Sequence, residues 1–343
     1  MRRSRRMLLG VAGVMAAGAL AARAATLVNG AGATFPYPIY SKWFDEFHKR
    51  SPEAQINYQS IGSGGGIRQI LEGTVDFGAS DGPMTDEQLA QAKIPLLHLP
   101  TVLGAVVPVY NVAGAGTLHF TPEALAGIYL GTITRWNDPA IASTNPETKL
   151  PDAAIVPVHR SDGSGTTYIF VDYLSKVSPE WARRVGRGTS VNWPVGLGGK
   201  GNEGVAGLVK QTPDAIGYVE LIYALQTKQP YGDVRNRAGH FVAASLASVT
   251  AAADAAAANM PADFRVSITD PDGRDAYPIA SFTWLLIPTR IADQDKGRIL
   301  RQFLDWMLGE GQSFSSGLGY APLPASVIAL ERKAVERIQV GSS

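Results

Sequence analysis

The hydrophobic pattern of this chain repeats a short unit, in which an apolar run is followed by a small-residue loop and then by apolar residues at helical spacing. The unit occurs at residues 27–47, 55–72 and 153–177. In the first of these, Ile39, Trp43, Phe44 and Phe47 fall on one face of a helix. Such strand–loop–helix units predict parallel sheets covered by helices, with ligand sites beyond the carboxyl ends of the strands.

Two long apolar runs lie far apart in the sequence, at Pro100–Tyr110 and Ala280–Ile287. Each is suited to a buried strand, and two such strands could carry the chain from one domain to another and back. The roughly 319 residues that follow position 24 are also more than one hydrophobic core usually holds. The predicted fold class is therefore α/β with two α/β domains, a discontinuous first domain at 25–103 and 280–343 and a second domain at 104–279.

Elsewhere the pattern predicts a helix at Thr121–Leu130 with Thr121 as its cap, a strand at Ala215–Tyr223 and a helix at Ala251–Ala258. The segment Gly196–Gly204 is rich in glycine but lacks the residue order of a nucleotide P-loop. Lys200 within it is therefore expected on the surface.

The chain begins with a pattern typical of an export signal. Basic residues near the start precede an uncharged, alanine-rich stretch, and Ala22–Arg23–Ala24 fits a small-x-small cleavage site. The apolar stretch is short for a membrane span. We expect residues 1–24 to be a signal peptide that directs the protein to the periplasm. Ser4–Leu9 is a partial match to a twin-arginine signal, so both export routes stay open.

Composition narrows the classes of partner. The 31 basic residues of the chain include five arginines within residues 1–24, so the remaining 26 accompany 30 acidic residues, a net charge of about −4. This balance argues against nucleic acid and anionic lipid as partners, and any anion must be bound locally. The chain has no cysteine, so we expect neither disulfides nor a lipid anchor on an N-terminal cysteine.

The richest concentration of polar chemistry lies in the third unit, where Arg160 ends a predicted strand and residues 161–167 (SDGSGTT) open a helix. Free backbone N–H groups and the helix dipole favour an anion at such a junction. Arg160 adds a permanent planar charge. Asp162 would repel an anion unless it holds Arg160 or accepts a proton from the ligand. The loop predicts an oxyanion site, although a Ser/Gly-rich surface turn has the same pattern.

Three further connections offer similar groups. Thr34 and Phe35 close the small-residue loop before the first predicted helix, and Ser63 lies in the glycine-rich loop before the second. Asp81 follows a short apolar strand. Thr34 could instead be a helix N-cap alone. If the first two loops belong to one domain and the Arg160 loop to the other, they could face each other across a cleft that closes over a ligand.

The candidate residues lack the partners that turnover needs. Neither candidate serine lies in a G-x-S-x-G elbow, and the five histidines show no pair at metal-ligand spacing. His159 is next to Arg160, but strand alternation places the two side chains on opposite faces. Asp81 and Asp162 could form a carboxylate pair, yet no aromatic sugar platform lies beside them. Many donors without an activated nucleophile predict binding and not catalysis, with no metal and no cofactor.

A set of motifs in a characteristic order carries a resemblance to a known family. The motifs are Gly30–Pro36 (GAGATFP), Gly62–Gly66 (GSGGG), Asp76–Asp81 (DFGASD), Arg160–Thr166 (RSDGSGT), Trp193–Gly201 (WPVGLGGKG) and Ala215–Glu220 (AIGYVE). At these residues the chain resembles the periplasmic phosphate-binding proteins of high-affinity phosphate ABC transporters, the PstS family. The resemblance extends over essentially the whole chain after residue 24.

The resemblance implies a fold like that of type II periplasmic binding proteins, in which two α/β domains close about a hinge over one phosphate. It also implies delivery to membrane permease subunits driven by an ATPase pair, by a protein expected to be a monomer. Carried over residue by residue, it implies phosphate contacts or direct support at Thr34, Phe35, Ser63, Asp81, Arg160, Asp162, Ser164, Gly165 and Thr166. The family often has a second serine where Gly64 stands here.

In that arrangement Asp81 accepts a proton from the ligand and Arg160 donates to it while paired with Asp162. Monohydrogen phosphate can donate such a proton, whereas fully ionised sulfate cannot, so Asp81 is expected to reject sulfate. Two alternatives stay open. The same fold could hold another oxyanion, such as sulfate, arsenate or molybdate, or the scaffold could be an exported phosphatase, which turnover of a phosphate ester would reveal.

Overall fold

The computed structural model describes residues 25–257 and 260–341, so the predicted signal peptide at 1–24 lies outside the described residues. Up to residue 160 the elements are β1 (Thr26–Gly32), α1 (Tyr37–Arg50), β2 (Ala54–Ser60), α2 (Ser63–Glu72), β3 (Phe77–Ser80), α3 (Asp86–Leu89), β4 (Leu96–Tyr110), β5 (His119–Phe120), α4 (Pro122–Leu130), α5 (Pro139–Ala142) and β6 (Val156–Arg160). The elements that follow are α6 (Gly165–Val177), α7 (Pro179–Arg184), β7 (Leu197–Gly199), α8 (Gly201–Gln211), β8 (Ala215–Glu220), α9 (Leu221–Thr227), β9 (Asp233–Arg235), β10 (Phe241–Val242), α10 (Leu246–Ala257), β11 (Ala280–Pro288), β12 (Arg290–Ile291), α11 (Gln294–Met307), two short 3-10 helices (Glu310–Phe314 and Ser316–Leu318), α12 (Ala325–Glu336) and β13 (Gln339–Val340).

The main sheet has eight strands in the order β2-β1-β3-β11-β4-β8-β6-β7. Strands β1, β2 and β3 pair in parallel, and so do β6, β7 and β8, as the strand–loop–helix units predict. Between these groups lie β11 and β4, which are antiparallel to each other and to their outer neighbours. The sheet is therefore mixed and not wholly parallel, because β11 runs opposite to the strands on both sides of it and β4 runs opposite to β8.

Strand β4 is shared by the two groups of parallel strands. Its residues Leu96–Ala105 pair with β11, and Val106–Tyr110 pair with β8. The change of partner falls close to the boundary predicted at 103/104. Most buried hydrophobic side chains form one core that includes this strand, and a second, smaller cluster is made by Ile67, Ile70, Met84 and Leu286. The division into two closing domains stays a prediction.

Side-chain hydrogen bonds explain where several elements begin and end. The strand predicted at Ala215–Tyr223 ends at Glu220, because a carboxyl oxygen of Glu220 accepts from the N–H of Ile222 at 2.7 Å and caps the start of α9. Thr121 caps α4 as predicted, and its hydroxyl accepts from the N–H of Ala124 at 3.0 Å. None of the helices in the described ranges has the length and apolar character needed to cross a membrane.

Candidate anion-binding site

The loops that follow β2, β3 and β6 meet in space. The backbone N–H of Gly64 donates to the carbonyl of Gly163 at 2.9 Å, which ties the loop before α2 to the loop before α6. Gly165 faces Ser63 and Asp81 so closely that a Cβ there would lie 2.4 Å from the Ser63 hydroxyl and 2.5 Å from an Asp81 carboxylate oxygen. Position 165 therefore has no room for a side chain, and the α6 backbone can approach both groups.

Arg160, the last residue of β6, is a buried cation whose side chain is 1% exposed. Its guanidinium forms a two-pronged pair with Asp162, with Nε 2.7 Å from Oδ1 and Nη2 2.5 Å from Oδ2. Burial alone would raise the pKa of Asp162, but the hydrogen bonds and charge of Arg160 outweigh it and hold that pKa below its usual range. Of the two roles open to Asp162 from the sequence, its contacts are those of a residue that holds Arg160.

Asp81 directly follows β3 and is also buried, but hydroxyl groups are its hydrogen-bonding neighbours. The Thr283 hydroxyl donates to Oδ1 at 2.7 Å, and the Ser63 hydroxyl lies 3.4 Å from Oδ2. Burial raises the pKa of Asp81 to about 7, against smaller lowering effects of Thr283, the Arg160 charge and Ser63. Near neutral pH this carboxyl can therefore hold or accept a proton. Ser63 is also the first residue of α2, so its N–H lies at a helix N-terminus.

The N-terminus of α6 lies beside Arg160 and Asp81. Ser164 is its N-cap, and the Ser164 hydroxyl accepts from the N–H of Thr167 at 3.0 Å. The backbone N–H of Ser164 donates to the carbonyl of Thr189 at 2.7 Å. This terminus can therefore offer a ligand the Ser164 hydroxyl hydrogen and the first helical N–H groups, at Gly165 and Thr166.

Thr34 and Phe35 precede α1 and are fixed through their backbone carbonyls. The hydroxyl of Tyr223 donates to the carbonyl of Thr34 at 2.5 Å, and that of Tyr320 donates to the carbonyl of Phe35 at 2.6 Å. The alternative that Thr34 is only an N-cap is wrong, because Pro36 occupies that position and α1 has no side-chain cap. The Thr34 hydroxyl turns instead toward α8.

The sequence did not single out Asn202, yet this residue joins the loops on both sides of the cluster. Asn202 is fully buried near the start of α8, and its Nδ2 lies 2.8 Å from the Thr34 hydroxyl and 3.0 Å from the Thr166 hydroxyl. β7 and α8 form a further strand–glycine–helix unit, and that pattern was the available signal. Lys200, in the same segment, is exposed as expected.

The arrangement as a whole suits an oxyanion that carries a proton, since it combines a fixed cation, helix N-termini, hydroxyls and one protonatable carboxyl. His159 turns away from Arg160 and stacks on Trp193, with ring centroids 4.8 Å apart. Within residues 25–257 and 260–341, no group of three or more His, Cys, Asp or Glu side chains is placed to hold a metal ion.

Comparison with known proteins identifies the family. A model of the PBP superfamily domain matches residues 19–310. The phosphate-binding protein PstS of Pasteurella multocida is 46% identical over 306 residues, which cover 89% of this chain and 88% of that protein.

The high-affinity periplasmic phosphate-binding protein PfluDING, solved with phosphate bound, has a TM-score of 0.72 at 22% identity, with 90% of this chain and 93% of that one covered. An ABC-type phosphate transport receptor from Vibrio cholerae has a TM-score of 0.57 at 18% identity, with 87% and 100% covered. These two structures share the fold, and the sequence relationship is closer still: the chain belongs to the PBP superfamily and, within it, to the PstS family of phosphate-binding proteins.

Proposed function

We propose that this chain is the substrate-binding protein of a phosphate ABC importer and captures inorganic phosphate through hydrogen bonds. The observation that carries the proposal is the presence of two buried groups of opposite kind in one site. One is the guanidinium of Arg160, held by Asp162, and the other is the carboxyl of Asp81, whose burial raises its pKa to about 7. A ligand that suits both groups is an oxyanion with a proton to donate, which describes monohydrogen phosphate.

The remaining groups complete a shell of donors around the anion. A buried dianion carries a large desolvation cost, which dense hydrogen bonding must offset. The proposed contacts are the hydroxyl of Thr34, the N–H of Phe35, the hydroxyl and N–H of Ser63, the guanidinium of Arg160, the hydroxyl of Ser164, the N–H of Gly165, and the hydroxyl and N–H of Thr166. Asp162 takes part by orienting Arg160.

Asp81 supplies the discrimination against sulfate. It accepts the proton of monohydrogen phosphate, whereas ionised sulfate places an oxygen without a proton against the carboxylate. Each mismatch of this kind leaves buried polar groups unpaired and repelling, which costs about 1–3 kcal/mol or more where charge is involved. Arsenate also carries a proton, so Asp81 gives little discrimination against it.

The position of the site suggests how the ligand is enclosed and passed on. Residues 25–103 with 280–343 form one domain and residues 104–279 the other, and β4, which changes its pairing partner after Ala105, together with β11 connects them. Closure about these strands buries the anion. The protein acts in the periplasm as a monomer, after removal of residues 1–24, and delivers phosphate to the permease subunits and ATPase without any catalytic turnover. The relative from Vibrio cholerae is named as an ABC-type phosphate transport receptor.

Calorimetric titration of residues 25–343 tests this function directly. The protein is unfolded, dialysed and refolded to remove bound anions, and is then titrated with phosphate and with sulfate near neutral pH. One tight site for phosphate and negligible heat with sulfate are expected. Tight sulfate binding would overturn the role of Asp81, and no binding of either anion would overturn the function. Hydrolysis of a phosphate monoester by the same preparation would indicate the phosphatase instead.

A further inference from the structure

The side-chain amide of Asn202 uses every hydrogen-bonding group that it has. Its Oδ1 accepts from the backbone N–H of Glu220 at 2.9 Å. Its Nδ2 lies within hydrogen-bond distance of two hydroxyls, that of Thr34 at 2.8 Å and that of Thr166 at 3.0 Å. Both hydroxyls belong to residues to which the proposed function assigns phosphate contacts.

The orientation of this amide is decided by its chemistry. The N–H of Glu220 can donate and cannot accept, so the atom that faces it must be the amide oxygen. The amide nitrogen, with its two hydrogens, then has to face Thr34 and Thr166. Asn202 therefore donates to both hydroxyls and accepts from neither.

Donation by Asn202 leaves the Thr34 hydroxyl with one use for its hydrogen. A hydroxyl has two lone pairs and one hydrogen. The oxygen of Thr34 accepts from Nδ2 of Asn202 at 2.8 Å and from the backbone N–H of Asn202 at 3.3 Å, which occupies both lone pairs. The hydrogen must then point elsewhere, as a donor to a ligand.

The Thr166 hydroxyl is in the same condition. Its oxygen accepts from Nδ2 of Asn202 at 3.0 Å and from Nη1 of Arg160 at 3.3 Å. Both lone pairs are again occupied, so its hydrogen is also available for donation alone.

We propose that Asn202 is a positioning residue for phosphate, which fixes the hydroxyls of Thr34 and Thr166 as donors. The inference rests on the proposed function of the site. At this corner the ligand must present oxygens without protons, because no lone pair is left to receive one. The proton of monohydrogen phosphate is thereby directed to Asp81. Asn202 thus sets which oxygens of the ligand face which side of the site, without a contact of its own to the anion being required.

A double-mutant cycle tests this role, with phosphate affinity measured by calorimetry. Asn202→Leu replaces the amide with an apolar group of the same branching, and in the otherwise unchanged protein we expect it to weaken phosphate binding by about 10- to 100-fold. In the Thr34→Val/Thr166→Val background the hydroxyls are absent, so the same change should cost less than about threefold. Equal losses in both backgrounds would overturn the proposal, since a general loosening of α8 lowers affinity whether or not the hydroxyls are present.

Asn202 would also be coupled to Thr34 if it only linked the Thr34 loop to α8 and did not orient the hydroxyls. The pair Asn202 and Thr166 distinguishes these two roles. Thr166 on α6 and Asn202 on α8 are attached to the same group of parallel strands, β6, β7 and β8, so the link to the Thr34 loop does not involve this pair. With Thr166→Val alone, the loss caused by Asn202→Leu should still shrink by at least about threefold. If the affinity losses of Asn202→Leu and Thr166→Val are additive, Asn202 only links the two loops and the inference is overturned.

Two further variants keep the test decisive. If Asn202→Leu does not fold, Asn202→Asp replaces it. The carboxylate accepts from both threonine hydroxyls, so their hydrogens point at residue 202 and not at the ligand, while it still accepts from the N–H of Glu220. Its loss should again be at least about threefold smaller in the double-valine background.

Asn145→Leu is the matched control, a buried asparagine whose amide donates to the carbonyls of His119 and Ile141, outside the site. It should change phosphate affinity by less than about twofold. Failure of the unchanged protein to bind phosphate would refute the proposed function itself, whereas binding without coupling refutes the inference alone.

Discussion

Two aspartates lie at the ends of two strands of the same sheet, and their neighbours shift their pKa values in opposite directions. Asp162 follows β6 and receives two hydrogen bonds from the guanidinium of Arg160, at 2.7 and 2.5 Å, so its pKa is lowered. Asp81 follows β3, is buried more deeply and receives a hydrogen bond from the Thr283 hydroxyl, and its pKa is raised to about 7. Burial favours the neutral form of both, and the adjacent cation decides which one remains charged.

The comparison also shows why one site can hold two acids next to a bound anion. The charge of Asp162 is balanced by Arg160, so this residue contributes an oriented cation and little net repulsion. Asp81 avoids repulsion in a different way, since it can share a proton with the ligand. Changing one member of the site at a time separates these contributions, and the largest effect is expected at Arg160.

Replacement of Arg160 by alanine should have the largest effect, because it removes the cation and leaves Asp162 buried without its partner. Truncation of one partner of a buried charge contact costs about 2–5 kcal/mol of binding free energy, so phosphate affinity should fall by roughly 30- to 4,500-fold. Calorimetric titration of the purified variant measures the change.

The control for this prediction is another arginine–aspartate pair in the same chain. Arg135 and Asp152 lie 2.7 Å apart, with side chains 56% and 69% exposed. Arg135→Ala removes the same charge from the surface and should change affinity by less than about 1 kcal/mol. Near-equal affinities of the two variants would show that the anion binds elsewhere.

Asp81→Asn should have a smaller effect on phosphate and a clear effect on selectivity. An amide can donate to an oxygen without a proton, so sulfate is no longer rejected. We expect the ratio of phosphate to sulfate affinity to fall roughly 5- to 150-fold, which corresponds to a change of about 1–3 kcal/mol in the difference between their binding free energies. Competition titrations at constant pH and ionic strength measure the ratio.

Asp233→Asn is the matched control for selectivity. Burial also raises the pKa of Asp233, but this residue lies on β9, in the separate three-stranded sheet β10-β9-β5. Its replacement should leave the phosphate-to-sulfate ratio unchanged. A ratio that is equally unchanged in Asp81→Asn would remove Asp81 from the explanation of specificity.

The difference between Asp162 and Asp81 also shows what the sequence could predict. Asp162 is two residues from Arg160 in the chain, so their pairing could be proposed from local spacing. The hydroxyl that holds Asp81 comes from Thr283, 202 positions away, and no pattern near residue 81 indicates it. Local chemistry was therefore predictable, and the support that reaches it from distant strands was not.

The same limit applies to the fold and to Asn202. Apolar runs and helical spacing identified the strand–loop–helix units, because each unit is local. The antiparallel centre of the sheet depends on how β4 and β11 pair across more than a hundred residues, which periodicity does not encode. The sequence around Asn202 does not indicate its role, because asparagine is ordinary near a helix N-terminus and its contacts are made to Thr34 and Glu220 from other parts of the chain.

The two carboxylates should also differ in how they make the stability of the protein depend on pH. Asp81 has a raised pKa in the folded protein, so the stability it contributes is fully present below its unfolded pKa of about 3.9 and is lost as the pH rises toward about 7. Asp162 has a lowered pKa, so its contribution is present above its unfolded value and is lost as the pH falls through the folded one.

Urea unfolding without phosphate, at several pH values from 3.5 to 7, distinguishes these contributions. Relative to the unchanged protein, Asp81→Asn should become more stable as the pH rises from about 4.5 to 6.5, by at most about 1.4 kcal/mol per pH unit. Asp162→Asn should show a constant deficit over that interval and a shrinking one below about pH 4. Parallel pH profiles for the two variants would mean that both carboxyls titrate alike, and the contrast imposed by Arg160 would then be absent in solution.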